Sequence, residues 1–178
     1  MDFSQLHKAK ELLSDKSLPI VIVTHTNPDG DAVGSSLGLY EYLRLAGHTD
    51  VQVITPNSYP EFLKWMPNND KVLIGVDHAA VAKKKILHAA VLFCLDFNAP
   101  NRTELLEKPI NNSEAYKIMI DHHPQPEEVF DLMLSDVQAS STAELVYEFI
   151  AAMGGEGIMN RAAAECLFAG IITDTGSF

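Results

Sequence analysis

Residues 19–35 read Pro-Ile-Val-Ile-Val-Thr-His-Thr-Asn-Pro-Asp-Gly-Asp-Ala-Val-Gly-Ser. The part from Pro19 to Thr24 is apolar and rich in β-branched residues, which is typical of a strand buried on both faces. From Asp31 to Ala46 apolar residues recur every three or four positions and Gly47 follows, which predicts a helix that ends at the glycine. A buried strand that leads through a polar turn into a helix is the first unit of an α/β fold.

The same alternation continues along the chain. Short apolar runs predict strands at residues 51–54, 71–76, 90–95 and 116–120, and helical periodicity predicts helices at 78–88, 141–153 and 160–172. Such units imply an α/β fold of three layers, in which helices flank a mainly parallel sheet. With 178 residues and no internal repeat, residues 1–178 are predicted to form one domain.

Composition narrows the function classes. The formal net charge of −11 argues against non-specific binding to duplex DNA, which needs an excess of lysine and arginine. No apolar run approaches the length of a membrane span, so no membrane association is expected. The first residues lack a basic region followed by an apolar core, and Cys94 and Cys166 have no metal-site spacing. These features predict a cytoplasmic protein with reduced thiols.

Acids and histidines follow the apolar runs at four separate places, where an α/β sheet puts its ligands. They are His25, Asp29 and Asp31, then Asp96, then Asp121, His122 and His123, and finally Asp174. One such aspartate is most often a helix cap or turn residue, but caps do not account for four places with adjacent histidines. Carboxylates with a minority of imidazoles suit Mn²⁺ or Mg²⁺. Gly30 is expected to free the backbone between two of the acids.

These segments resemble the four motifs of the DHH phosphoesterases, a family named for the Asp-His-His found here at residues 121–123. The residues that carry the resemblance are His-x-Asn-Pro-Asp-Gly-Asp-Ala-x-Gly-Ser at 25–35, Asp96, Asp-His-His and Thr-Asp-Thr-Gly at 173–176. The sequence is most similar to the oligoribonuclease and 3′-phosphoadenosine-5′-phosphate phosphatase branch. The resemblance implies hydrolysis of short single-stranded oligonucleotides or 3′,5′-bisphosphorylated nucleosides, with water activated by two divalent ions, Mn²⁺ before Mg²⁺.

The resemblance also implies a role for each residue. His25 and Asp29 would hold one ion, Asp31, His122 and Asp174 the other, and Asp96 would bridge both. His123 would face the scissile phosphate, and Asp121 would orient an imidazole from behind. Asn27 and Ser35 are implied to give supporting hydrogen bonds. Arg102 is a candidate phosphate contact, although an exposed loop arginine is the more ordinary interpretation.

Other interpretations remain open. Family members usually continue into a C-terminal domain that grips the substrate, and this chain stops at Phe178 without one, so we expect weak nucleotide-specific turnover from it. A pyrophosphatase- or polyphosphatase-like hydrolase and a non-catalytic metal- or nucleotide-binding module are the alternatives, and the second histidine, His123, argues against the latter. A homodimer is compatible with the sequence. Trp65 is more typical of packing than of a base-stacking platform.

Overall fold

A computed structural model describes residues 4–176 and contains one six-stranded sheet. The strands are β1 (Ile20–Val23), β2 (Val51–Thr55), β3 (Val72–Ile74), β4 (Val91–Leu95), β5 (Tyr116–Asp121) and β6 (Leu132–Ser135). Their order is β3-β2-β1-β4-β5-β6, and each neighbouring pair is parallel. The predicted α/β architecture is therefore confirmed.

Helices cover both faces of this sheet. They are α1 (His7–Leu12), α2 (Gly30–Leu45), α3 (Ala79–His88), α4 (Glu107–Asn111), α5 (Thr142–Ala152) and α6 (Arg161–Asp174). Ile22 belongs to the core that the sheet shares with α1, α2, α5 and α6, whereas Val21 points into the core under α3 and α4. Because side chains alternate between two covered faces, the central strands β1 and β4 are apolar at every position.

The predicted strands and helices are confirmed with bounds shifted by one or two residues. The edge strand β6 and the short helices α1 and α4 were not predicted. Leu132–Ser135 has only four residues, with two buried positions in alternation, and it contains no β-branched residue. This pattern is too short to predict a strand. Helix α6 runs on to Asp174, so this residue lies in the last helical turn.

Close packing of α2 on α6 brings Asp174 to the sheet edge. A Cβ atom on Gly34 would lie 2.5 Å from the backbone oxygen of Cys166 and 2.8 Å from the nitrogen of Gly170. Gly30 begins α2, and its Cβ would overlap the side chain of Thr173. The expectation for Gly30 was wrong: its φ is not in the left-handed region, and what it provides is room for Thr173.

Three further expectations can be compared with the structure. Cys94 and Cys166 are buried free thiols, as predicted. The prediction that Trp65 serves packing is wrong, because its side chain is largely exposed. In the range 4–176, no helix is both long and apolar enough to cross a membrane.

Candidate metal centre

The acids and histidines gather where the strand order changes direction. β2 and β3 lie on one side of β1, and β4, β5 and β6 lie on the other side, so the neighbours β1 and β4 mark the switch point. Open α/β sheets bind ligands in the crevice beyond the carboxyl ends of such strands. His25 follows β1 and Asp96 follows β4, and Asp96 adopts a left-handed backbone conformation with φ of 65°.

The first group of ligands joins these two residues with Asp29. The Nε2 atom of His25 lies 3.4 Å from Oδ2 of Asp96 and 3.9 Å from Oδ2 of Asp29. The other ring nitrogen, Nδ1, lies 2.8 Å from the backbone oxygen of Thr26 and donates to it. This bond fixes the tautomer and leaves Nε2 as the atom that faces the carboxylates.

The second group comes from α2, the end of β5 and the last turn of α6. The Nε2 atom of His122 lies 3.9 Å from Oδ2 of Asp31 and 3.5 Å from Oδ2 of Asp174. Within each group, the potential ligand atoms lie within 4.8 Å of one another. His122 Nε2 is also 3.8 Å from Oδ1 of Asp96, so Asp96 lies between the two groups.

Asp29 serves the fold and the site together. Its Oδ1 accepts hydrogen bonds of 3.0 Å from the backbone nitrogens of Asp31 and Ala32 and so caps α2. The other oxygen, Oδ2, faces His25. The helix-cap and metal-ligand interpretations of this aspartate are therefore compatible.

The N-terminus of α5 holds the buried carboxylates of Asp31 and Asp96, a contact that was not predicted from the sequence. The backbone nitrogens of Thr142 and Ala143 donate to Asp31 at 2.6 and 2.8 Å. The hydroxyl of Thr142 donates to Oδ1 of Asp96 at 2.8 Å. The available signal was the Ser141-x-x-Glu144 capping pattern, which marks where α5 begins but not what it approaches.

The pKa values of the crowded carboxylates are shifted in different directions. Burial raises the pKa of Asp31 to about 8, the charge of Asp96 adds to the rise, and the hydrogen bonds from α5 oppose it. Burial also disfavours the charge on Asp96, but the hydrogen bond and charge of His25 outweigh it and hold this pKa below its ordinary value. Burial likewise raises the pKa of Asp174. Neighbouring buried acids are expected to titrate apart in this way.

The donor set fits a pair of divalent cations. Asp31 and Asp96 are buried, and among residues 4–176 no lysine or arginine forms an ion pair with either of them. Buried carboxylates are stable when paired or bound to metal. Divalent ions bound by these groups would polarise water and phosphoryl oxygens.

Asp121 and His123 form a pair beside the two groups. The Nδ1 atom of His123 donates to Oδ1 of Asp121 at 2.7 Å, which leaves Nε2 free. Asp121 is completely buried, and its Oδ2 has no hydrogen-bond partner among the described residues. Burial raises the pKa of Asp121, while the bond to His123 opposes the rise. The buried carboxylate therefore fixes a partly exposed imidazole at the open side of the cluster.

The three implied substrate contacts lie in different settings. Asn27 is exposed, and its side-chain oxygen accepts a 2.8 Å bond from Asn57. Ser35 is buried inside α2, where its hydroxyl donates to the oxygen of Ala32 at 3.2 Å, so it does not face the open cluster. The side chain of Arg102 is exposed, and its backbone oxygen accepts a bond from Thr26.

Comparison with known proteins defines the class. The model of the DHH family, N-terminal domain, matches residues 19–171, a range that holds every proposed ligand except Asp174. The chain belongs to the DHH family of phosphoesterases. It is 33% identical to the bifunctional oligoribonuclease and PAP phosphatase NrnA of Thermus thermophilus, across 99% of this chain and 49% of that protein. It is 26% identical to the cyclic-di-AMP phosphodiesterase PdeA of Listeria monocytogenes, over 97% of this chain and 27% of that one.

Two solved structures share the fold of this chain. An exopolyphosphatase-related protein from Bacteroides fragilis superposes with a TM-score of 0.91 and 40% identity, covering 100% of this chain and 53% of that chain. The exonuclease RecJ bound to manganese superposes with a TM-score of 0.58 at 17% identity over 98% of this chain and 44% of that one, which is a likeness of fold. The chain spans about half the length of the NrnA relative (49%) and 27% of the length of PdeA.

Proposed function

We propose that this chain is the catalytic domain of a metal-dependent phosphoesterase that hydrolyses nucleotide phosphoesters with water activated by two divalent ions. The observation that carries the proposal is the position of Asp96 between the two ligand groups, with Oδ2 3.4 Å from His25 Nε2 and Oδ1 3.8 Å from His122 Nε2. A carboxylate between two sites suits a pair of ions that act on one phosphoryl centre. Oxygen ligands with a minority of imidazoles favour Mn²⁺, with Mg²⁺ as the second choice.

The proposed roles follow the positions of the side chains. His25 and Asp29 would hold one ion, Asp31, His122 and Asp174 the other, and Asp96 both. His123 would present its free Nε2 to the substrate and protonate the leaving oxygen, since Asp121 holds Nδ1. Asn27 and Arg102 are exposed and available to a substrate, whereas the buried Ser35 supports α2.

The proposed substrates are short single-stranded oligonucleotides or 3′,5′-bisphosphorylated nucleosides. Support comes from the NrnA relatives of Thermus thermophilus and Bacillus subtilis, each 33% identical to this chain. A second candidate is an inorganic polyphosphate or pyrophosphate, which the exopolyphosphatase-related structure favours. Both substrate classes present a phosphoryl group to the same cluster of ligands.

Mn²⁺-dependent hydrolysis of the two substrate classes tests this function. The wild-type chain and a His123→Ala variant are compared, each with its metal content measured. We expect weak cleavage of the nucleotide substrates by the wild type, and a rate about 10²–10⁴-fold lower for the variant at unchanged metal content. Faster release of phosphate from polyphosphate would favour the second candidate. Metal binding without hydrolysis of any substrate would instead indicate a binding module.

A further inference from the structure

The loop that carries the first metal ligands is held by a residue outside the four motifs. Asn57 follows β2, and its side chain makes two hydrogen bonds to Asn27, which lies between His25 and Asp29 in the chain. Its Oδ1 accepts from the backbone nitrogen of Asn27 at 2.7 Å, and its Nδ2 donates to Oδ1 of Asn27 at 2.8 Å. One amide side chain therefore binds both the backbone and the side chain of this loop residue.

The chemistry of the donors fixes the orientation of both amides. A backbone N–H can only donate, so the atom of Asn57 that meets it must be the oxygen. The other end of Asn57 is then the nitrogen, which also can only donate and must face the oxygen of Asn27. The Nδ2 atom of Asn27 is thereby left with two N–H donors, and no hydrogen bond within residues 4–176 uses them. Because Asn27 is exposed, these donors are available to an anion.

A single peptide group connects Asn57 to His25. The carbonyl oxygen of Thr26 and the N–H of Asn27 belong to one planar unit. The N–H donates to Asn57, and the oxygen accepts the 2.8 Å bond from Nδ1 of His25 that sets the tautomer of this imidazole. Fixing one end of a planar unit fixes the direction of the other end, and the hydrogen bonds at the two ends polarise each other. Asn57 therefore acts on His25 through this peptide.

The backbone of the loop requires such support. Asn27 has a φ of 55°, in the left-handed region that residues other than glycine adopt infrequently and that persists where the surroundings impose it. On the other side, the backbone nitrogen of Thr26 donates to the backbone oxygen of Arg102 at 2.8 Å. The loop after β1 is thus bound to the segments that follow β2 and β4, the two strands beside β1.

We propose that Asn57 is a positioning residue of the candidate metal centre, with two effects. It orients the peptide that holds His25, so that Nε2 of this imidazole faces the metal. It also turns the amide of Asn27 so that the nitrogen, and not the oxygen, is presented to a phosphoryl oxygen of the substrate. The second effect rests on the proposed phosphoesterase function, whereas the first requires only metal binding.

Two substitutions of Asn57 separate these effects. Asn57→Ala removes both hydrogen bonds. In Asn57→Asp the carboxylate still accepts from the backbone of Asn27, but it offers a second oxygen to the side chain, so the amide of Asn27 must rotate and turn its own oxygen outward. Ser58→Ala and Ser58→Asp are the matched controls, since Ser58 is exposed and only its backbone oxygen bonds to Asn57.

The first effect is measured on the metal-free protein and by metal titration. The ¹⁵N chemical shifts of the His25 ring report its tautomer, and isothermal titration gives the affinity for Mn²⁺. We expect the Nδ1-protonated tautomer in the wild type, Asn57→Asp and both Ser58 variants. Asn57→Ala should show a mixture of tautomers and bind Mn²⁺ about tenfold more weakly. A wild-type tautomer and a wild-type affinity in Asn57→Ala would overturn the effect on His25.

The second effect is measured as KM and kcat at saturating Mn²⁺, with whichever proposed substrate class the wild type hydrolyses. Asn57→Asp should raise KM about 10–100-fold above that of Ser58→Asp, which adds the same charge, and should change kcat less. Equal KM values in these two variants would overturn the role of Asn27 as a donor. A wild type that binds Mn²⁺ but hydrolyses neither class would refute that role together with the proposed function, while the His25 tautomer would still decide whether Asn57 positions the metal ligand.

Discussion

The hydroxyl of Thr142 donates a hydrogen bond of 2.8 Å to Oδ1 of Asp96, the carboxylate that lies between the two ligand groups. The bond is buried, and it joins the first residue of α5 to the residue after β4. With Asp31 held by the backbone of the same helix turn, α5 fixes two carboxylates that belong to different ligand groups. Groups that hydrogen-bond to metal ligands and orient them commonly change the affinity of the site for its metal.

Thr142→Val should weaken metal binding. The substitution keeps the shape and the backbone bond to Asp31 but removes the bond to Asp96, and we expect Mn²⁺ affinity to fall by about 10–100-fold. Thr142→Ser keeps a hydroxyl and should restore most of the affinity. Isothermal titration with Mn²⁺ measures both. Equal affinity in Thr142→Val and the wild type would show that the bond has no effect on the site.

Asp29 can be tested for its two roles separately. In Asp29→Ser the serine hydroxyl can still cap α2, so the free energy of unfolding should stay close to that of the wild type, whereas Asp29→Ala should lose ~1 kcal/mol. Both variants should bind one of the two ions at least about tenfold more weakly. Chemical denaturation and metal titration give the two quantities. Unchanged metal binding in both variants would leave the cap as the sole role of Asp29.

Gly34→Ala should destabilise the protein, because its Cβ would press on the backbone of Cys166 and Gly170. We expect a loss of ~1–3 kcal/mol in the free energy of unfolding, measured in urea. Gly157→Ala is the control, since a Cβ there meets no atom within 4 Å. Metal affinity should fall only in Gly34→Ala, because α6 carries Asp174. A fully stable Gly34→Ala protein would contradict the close packing of α2 on α6.

Asp31 should make the metal-free protein less stable as pH rises. Its pKa is raised from an ordinary value of 3.8 to about 8, so the folded protein binds this proton more tightly than the unfolded chain does. Its contribution to stability is complete below pH 3.8 and disappears as pH rises through about 8. Urea unfolding across this range should show a smaller pH dependence for Asp31→Asn than for the wild type.

Metal binding should respond to the same proton with the opposite sign. An ion must displace the proton of Asp31, so Mn²⁺ affinity should rise with pH up to about 8 and binding should release protons. Titration in buffers of different ionisation enthalpy counts these protons. Proton release that is the same in the wild type and in Asp31→Asn would mean that Asp31 is already ionised before the metal binds.

The sequence was sufficient to predict five of the six strands and the clustering of the ligands. Buried parallel strands are apolar runs, and their carboxyl ends must share one edge, so His25, Asp96 and His122 were expected together. Thr142 could not be predicted this way. Its contact with Asp96 depends on where the first turn of α5 packs, and no local pattern encodes that distance.

Packing between helices also escaped prediction. Gly30 was attributed to backbone freedom, yet its role is to leave space for Thr173, a residue far away in the chain. The exposure of Trp65 was missed for a similar reason, since an apolar run in a loop looks alike whether it is buried or forms part of a surface. The role of Gly30 depends on the position of α6, which carries Thr173.

The most direct test of the central claim is the number of Mn²⁺ ions bound by the wild type, Asp29→Ala, Asp174→Ala and Asp96→Asn. Asparagine tolerates the left-handed conformation at residue 96, so this variant should keep its fold. We predict two ions for the wild type, one for Asp29→Ala, one for Asp174→Ala and none for Asp96→Asn at the same metal concentration. Two ions bound by Asp96→Asn, or none by the wild type, would contradict a two-metal centre bridged by Asp96.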